Sequence, residues 1–227
     1  MQTNALFRVL FAAAMAAAPA LAETAADKPA APAAAAAEPK NETLLKAVNK
    51  NDAADVLLHI QKGADVNEQN SSGWTPLHYA AVRNSAAAAK ALLENGAKPD
   101  LVTSSGKTAL HCCGERGFLD LAKLLVEHGA NVKAQDQEGW TPLHYAAMKS
   151  HVELMQYLID KGADVNAAST GGGTPLHEAA ASATRETLEL LLKHGADPSI
   201  KAKNGKTALD FAVELGNTNA VAVLQKR

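Results

Sequence analysis

Along most of the chain the apolar positions form short helical patterns separated by polar, glycine-containing breaks. Leu77, Ala80 and Ala81 lie at i, i+3 and i+4 and so share one face of a helix. Ala88, Leu92 and Leu93 repeat that spacing shortly afterwards, and Gly96 is placed to stop the second helix in a left-handed conformation. Thr75 and Pro76 mark where the first helix starts. The threonine hydroxyl can satisfy an orphan backbone N–H, and proline at the first helical position lacks a donor that would have no partner there. The pattern therefore predicts a helix beginning at Pro76, a second over about 85–94, and then a polar β-turn or hairpin.

This unit recurs. Thr75-Pro76-Leu77-His78 returns as Thr108-Ala109-Leu110-His111, Thr141-Pro142-Leu143-His144, Thr174-Pro175-Leu176-His177 and Thr207-Ala208-Leu209-Asp210, always 33 residues after the previous copy. Gly63-Ala64, Gly96-Ala97, Gly129-Ala130, Gly162-Ala163 and Gly195-Ala196 keep the same interval. Two marks in phase at this period specify a stacked repeat array rather than a globule with one core. Composition changes the picture only slightly. Of 227 residues 47% are apolar, much of this alanine, and 4% are aromatic, which suits helices that approach closely over small side chains.

Gly-x-Thr-Pro-Leu-His, then Ala-Ala, then Leu-Leu-x-x-Gly-Ala-Asp-Val-Asn, on a 33-residue period, resembles the ankyrin repeat from about Asn41 to Arg227. The resemblance implies an all-α solenoid of stacked helix–turn–helix units joined by β-turn or hairpin loops. Six units are expected, at about 41–68, 69–101, 102–134, 135–167, 168–200 and 201–227. The first lacks the Thr-Pro-Leu-His block but keeps Leu44, Ala47, Val56, Ile60 and Gly63 to Asn67. The last closes on Gln225-Lys226-Arg227. Terminal units with one solvent-facing side are expected to depart from the consensus in this way.

Residues 1–22 read as a secretory signal peptide: Arg8, an apolar run from Val9 to Ala18, Pro19, and the small-x-small site Ala20-Leu21-Ala22. The run to Ala22 is 14 residues, below the ~20 that span a bilayer. The expected address is the periplasm. Residues 23–40, almost entirely Ala, Pro, Lys and Glu, read as a disordered linker, because they carry too little apolar surface to offset ordering entropy. With 22 basic and 24 acidic residues the formal charge is −2, and no run of like charges points to nucleic acid. A monomer without a cofactor, and without membrane insertion after signal cleavage, is expected.

Three sets of residues invite chemistry. His78, His111, His144 and His177 suggest a metal, but equivalent positions in adjacent units lie roughly one helix-packing distance apart, about 8–10 Å, whereas zinc needs each ligand at about 2 Å. The resemblance implies a scaffold role for these histidines, bracing turn backbone. His59, His128, His151 and His194, in or near second helices, are expected to be solvated. Cys112-Cys113 stands where the family usually has x-Ala, and three readings are compatible with it: a small buried hydrophobe, a vicinal disulfide, or a reactive Cys112 thiol favoured by Arg116 one turn away. No phosphate-cradling loop and no Cys-x-x-Cys occurs, and no Ser or Cys is set with His and a carboxylate in a recognisable pattern, so no catalytic or metal site is assigned.

What differs between units carries the functional information. The resemblance implies a concave surface built from the turns and the outward side of each first helix. Those positions read Ser71, Ser72, Trp74, Tyr79, Val82 and Arg83 in the second unit, and Ser104, Ser105, Lys107, Cys112, Glu115 and Arg116 in the third. They read Gln137, Glu138, Trp140, Tyr145, Met148 and Lys149 in the fourth, and a smaller set in the fifth, Thr170, Gly171, Gly173, Glu178, Ala181 and Ser182. Aromatics with Arg and Met are enriched where interfaces carry energy. The expected partner-binding residues are therefore Trp74, Tyr79, Arg83, Lys107, Cys112, Glu115, Arg116, Trp140, Tyr145, Met148 and Lys149. Tryptophan ahead of Thr-Pro-Leu-His is also a common filler in the family and can serve only to shield its own turn. Tyr157 is expected to pack. The function expected is a non-catalytic scaffold that binds another protein. The alternative is a dedicated inhibitor, immunity protein or accessory factor of a periplasmic enzyme, redox-sensitive through Cys112 in one version.

Overall fold

The computed structural model describes residues 41–226 apart from residue 183, so the signal peptide and linker expected at 1–22 and 23–40 lie outside the described residues. The described residues form twelve helices and no strand, two helices to each of six units. The first helices are α1 (Leu44–Asn49), α3 (Pro76–Arg83), α5 (Ala109–Arg116), α7 (Pro142–Met148), α9 (Pro175–Ser182) and α11 (Ala208–Glu214). The second helices are α2 (Ala53–Gln61), α4 (Ala86–Glu94), α6 (Leu119–Glu127), α8 (Val152–Asp160), α10 (Arg185–Lys193) and α12 (Thr218–Leu224). First helices pack on first helices and second on second, unit after unit.

Leu77, Leu110, Leu143 and Leu176, one per unit, are essentially inaccessible, as are Leu92, Leu125, Leu158 and Leu191 on the second helices. Between these leucines the first helices meet over small residues: Ala80 and Ala81, Ala146 and Ala147, Ala179 and Ala180. The third unit solves the same problem differently. Buried Cys113 replaces one alanine with a larger side chain and Gly114 replaces the other with a smaller one. A Cβ on Gly114 would sit 2.5 Å from the Pro142 carbonyl oxygen at the start of α7, so the neighbouring helix takes the space. Gly96, at φ +89°, ends the second helix of its unit in the left-handed region as its position predicts.

The turns between units are hairpins in hydrogen bonding without being strands. Within each, one pair of backbone groups closes the tip, as in Asp136 N–H to Trp140 O at 2.9 Å. Between turns a backbone bond links each tip to the next: Ser104 N to Ser72 O, Gln137 N to Ser105 O, Thr170 N to Glu138 O and Lys203 N to Gly171 O, at 2.8–3.0 Å.

The block histidines tie helices to these turns. In each of four units the threonine N–H donates to its histidine Nδ1, at 3.0–3.2 Å, which caps the helix from within. The same ring then donates through Nε2 to a backbone carbonyl in the next unit: His78 to Lys107, His111 to Trp140, His144 to Gly173 and His177 to Lys206, at 2.9–3.2 Å. A ring that accepts at Nδ1 and donates at Nε2 must be neutral. Burial enforces this, lowering the pKa of all four below the usual histidine value and that of His144 to about 4. In the sixth unit Asp210 makes the same cap, Thr207 N–H to Oδ2 at 2.8 Å, without a ring N–H to pass on.

The first unit closes the stack by other means. Asn41 donates from its backbone N and Nδ2 to buried Asp55, at 2.8 and 2.6 Å, and His59 Nε2 donates to the Asn41 carbonyl at 2.8 Å. The expectation that the second-helix histidines are solvated thus holds for exposed His128 and fails for the others. His59 pins the N-terminal cap, His151 bonds the Glu115 carbonyl at 3.3 Å, and His194 bonds Gln156 at 3.2 Å. For His151 and His194 the reason is stacking, which sets each ring beside a polar group of the preceding unit; His59 finds its acceptor within its own unit.

Two outcomes follow from this packing. Gly114→Ala forces a methyl group against Pro142 and is expected to lower the unfolding free energy by about 1–3 kcal/mol in urea titrations. For the histidines, folded pKa values lie below the unfolded value near 6.5, so the unfolded chain binds more protons as pH falls. Their stabilisation is complete above about pH 6.5 and is lost on acidification toward the folded value, about 4 for His144. The urea midpoint should therefore drop between pH 7.5 and pH 5; an unchanged midpoint would show that the rings are not held neutral.

Candidate binding face

Turn tips and the outward sides of the first helices form one continuous face, along which equivalent residues line up in rows. The row ahead of each block threonine reads Trp74, Lys107, Trp140, Gly173 and Lys206. The row on the first helices reads Tyr79, Cys112, Tyr145, Glu178 and Phe211. The tertiary structure brings these rows together: Trp74 lies tilted against Tyr79 with ring centroids 5.4 Å apart, and Trp140 against Tyr145 at 5.0 Å. Each tryptophan also packs on its own block histidine at 5.8 Å. The indoles thus shield their turns and remain half-buried rather than covered, so each presents part of its surface outward.

The centre of the face is a polar network between the third and fourth units. Lys107 Nζ sits 4.3 Å from the centroid of the Tyr145 ring and 3.3 Å from Glu115. The Tyr145 hydroxyl donates to Asp136 Oδ2 at 2.6 Å, and that aspartate is itself buried, with its other oxygen accepting from Glu138 N and Trp140 N. Burial, the hydrogen bond to Asp136 and its charge push the Tyr145 pKa upward, so the phenol stays a donor. Asp136 carries no signal in the sequence beyond its place in a turn. Only the fold shows that it fixes both a turn and the tyrosine of the adjacent helix.

Two of the expected contact residues are corrected by this geometry. Tyr145 is only 7% exposed; it lies beneath Trp140 and Lys107 and supports the face instead of presenting itself. Cys112 is 3% exposed, and burial drives its pKa up to about 11. Lys107 and Arg116 do pull toward the thiolate, as the sequence suggests for Arg116, but desolvation outweighs them. Both cysteines are free and buried in the regular helix α5, which leaves the small-hydrophobe reading and removes the reactive-thiol and vicinal-disulfide ones. Arg83, Arg116 and Lys149 are exposed in one row, while Trp74, Tyr79, Lys107, Glu115, Trp140 and Met148 are half-buried. Tyr157 packs against the core as expected. Among the described residues no group of three His, Cys, Asp or Glu side chains is placed to hold a metal ion, and no helix is long and apolar enough to cross a membrane.

A stack of paired short helices with hydrogen-bonded turns between units defines a helical-repeat scaffold. The family profile described as ankyrin repeats (3 copies) matches residues 44–136, 82–169, 115–202 and 168–227 in overlapping registers, and the chain belongs to the ankyrin-repeat family. A chain of the solved structure described as Bd0816 predatory endopeptidase from Bdellovibrio bacteriovorus in complex with immunity protein Bd3460 is 33% identical, with a TM-score of 0.74, over 82% of this chain and 98% of its own. The crystal structure of EF0377, described as an ankyrin repeat protein, is 29% identical with a TM-score of 0.72, over 81% of this chain and 96% of its own. No curated protein matches the sequence. The fold is thus that of a protein-interaction scaffold.

The burial of the cysteines is directly measurable. Neither Cys112 nor Cys113 should react with a chromogenic disulfide reagent at pH 8 in the folded protein, and both should react at once in denaturant. One rapidly titrating thiol under native conditions would restore the reactive-cysteine reading.

Proposed function

We propose that this protein is exported to the periplasm and binds a single protein partner, as a monomer, through the face of its second to fourth units. The observation that carries this reading is the row Trp74, Lys107 and Trp140, with Arg83, Arg116 and Lys149 beside it. Each of the three first-named side chains is held in place by packing or an ion pair and still presents surface. Ordering before binding lowers the entropy lost on association, and half-buried tryptophans flanked by cations are the residue types that dominate interface energies. The stretch ahead of the repeats, read from its residues as a cleavable signal and a tether, supports the address.

Within that reading the structure fits best a dedicated inhibitor or immunity protein that occludes a periplasmic enzyme. The 33% identity to a chain from a complex of an endopeptidase with an immunity protein, nearly end to end in that chain, favours this choice over a general scaffold. The row of three exposed cations suits a partner with an acidic rim, by charge complementarity.

The test is affinity capture from a periplasmic extract with the wild type and with Trp74→Ala/Trp140→Ala, folding being checked by circular dichroism. The wild type should retain one hydrolase and inhibit it, and the double variant should bind it at least about tenfold more weakly. Undiminished capture by a folded double variant would show that the partner sits elsewhere. A captured protein whose activity is unaffected would reject the inhibitor reading while leaving the binding face.

A further inference from the structure

The fifth unit interrupts every row of the face at once. Where the second and fourth units carry Trp74 with Val82 and Trp140 with Met148, and the third and sixth carry the ion pairs Lys107–Glu115 and Lys206–Glu214, the fifth has Gly173 with Ala181. Both equivalents are minimal, and a cleft of about 420 Å³ opens there. Glu178, in the tyrosine position, reaches across the space a side chain on Gly173 would fill, with Oε1 3.4 Å from where its Cβ would be. Phe211 and Leu215 form the opposite wall, and Leu215 is 60% exposed.

The charges around the cleft are arranged for a cation. Among the described residues the Glu178 carboxylate has no hydrogen-bond or ion-pair partner, and burial holds its pKa at about 7. His177 beside it is neutral, since its Nδ1 accepts the Thr174 N–H and burial lowers its pKa. Lys206 is neutralised by Glu214 at 2.6 Å. The cationic row of Arg83, Arg116 and Lys149 ends before the cleft, where Leu215 stands at the equivalent position of the sixth unit. Lys203 alone remains on the rim, exposed and making no ion pair with Glu178.

We propose that this cleft receives one arginine side chain of the bound protein partner, its guanidinium on the Glu178 carboxylate and against the Phe211 ring, its methylenes along Leu215 and Ala181. A planar guanidinium satisfies both the carboxylate and the aromatic wall, which a compact ammonium does less well. The half-buried carboxylate gains the counter-charge that the described residues do not supply. The inference rests on the protein-binding reading of the face and extends that face into the fifth and sixth units, so the partner is defined as one that projects an arginine about one repeat beyond the tryptophans.

The probe is N-acetyl-arginine amide, titrated into the 15N-labelled full chain with N-acetyl-citrulline amide and N-acetyl-glutamate amide as controls. Saturable shifts are expected at the Gly171, Gly173 and Lys203 amides with arginine only. Glu178→Gln should weaken binding about tenfold or more, the effect of removing a charge-assisted bond. Gly173→Trp restores the residue found at Trp74 and Trp140 in a backbone that tolerates it, and it should fold, fill the cleft and abolish the shifts. Equal binding of citrulline, unchanged affinity in Glu178→Gln, persistence in Gly173→Trp, or no shift in the wild type would each overturn the proposal. The titration needs no partner, so a failed pocket leaves partner capture through Trp74 and Trp140 intact, whereas a failed binding face leaves the arginine titration intact.

Discussion

The structure depends on a bond that crosses from one unit to the next: the histidine Nε2–H to a turn carbonyl 29 residues further on. Without it each pair of short helices would have a cap of its own but no fixed relation to the following turn. One ring does both jobs only while neutral, because protonation at Nδ1 would remove the acceptor for the threonine N–H. Burial supplies that condition, and the leucines and alanines around the ring supply the burial. Electrostatics and packing are therefore one constraint here. A change that opens the stack wets the histidine, and a charged histidine opens the stack.

Because the bridges end on the residue before each block threonine, they also position the binding face. Lys107, Trp140, Gly173 and Lys206 have their carbonyls held from below by the previous histidine, and their side chains project from backbone that cannot drift. The scaffold leaves these side chains free to differ, since only the main chain is used. That freedom explains how the face runs from indole to ammonium to bare glycine with no change in the fold beneath. It also explains why the notch at Gly173 is compatible with a well-ordered unit: the backbone bond is made whether or not a side chain stands above it.

Substitutions that break the repeat pattern sort by the same logic. Cys113 with Gly114 replaces two alanines without opening a gap, since the atoms gained at one position are given up at the other and α7 closes on the glycine. Asp210 in place of histidine keeps the cap with a carboxylate. Asn41, Asp55 and His59 tie the first unit together by polar bonds of its own.

The repeat period, the number of units and the start of the repeated helices were legible from residue spacing, and the family resemblance implied the scaffold role of the histidines. These are local or periodic properties: a cap, a glycine stop or a leucine face depends on neighbours a few residues away, and repetition five times over removes ambiguity. The positions of the face could be listed from the same alignment, but not their states. Cys112 and Tyr145 occupy face positions and are buried, Tyr145 beneath Lys107 and Trp140. His151 and His194, expected in water, are bonded to the preceding unit and His59 to Asn41 of its own, and the Glu178 carboxylate, outwardly ordinary, lies over a glycine with no partner among the described residues. Most of these outcomes turn on contacts made by the folding of turns over helices or by the stacking of neighbouring units. Sequence thus determined the scaffold, since that is written in intervals. Tertiary structure decided which side chains face solvent, because exposure is set by what the next unit covers.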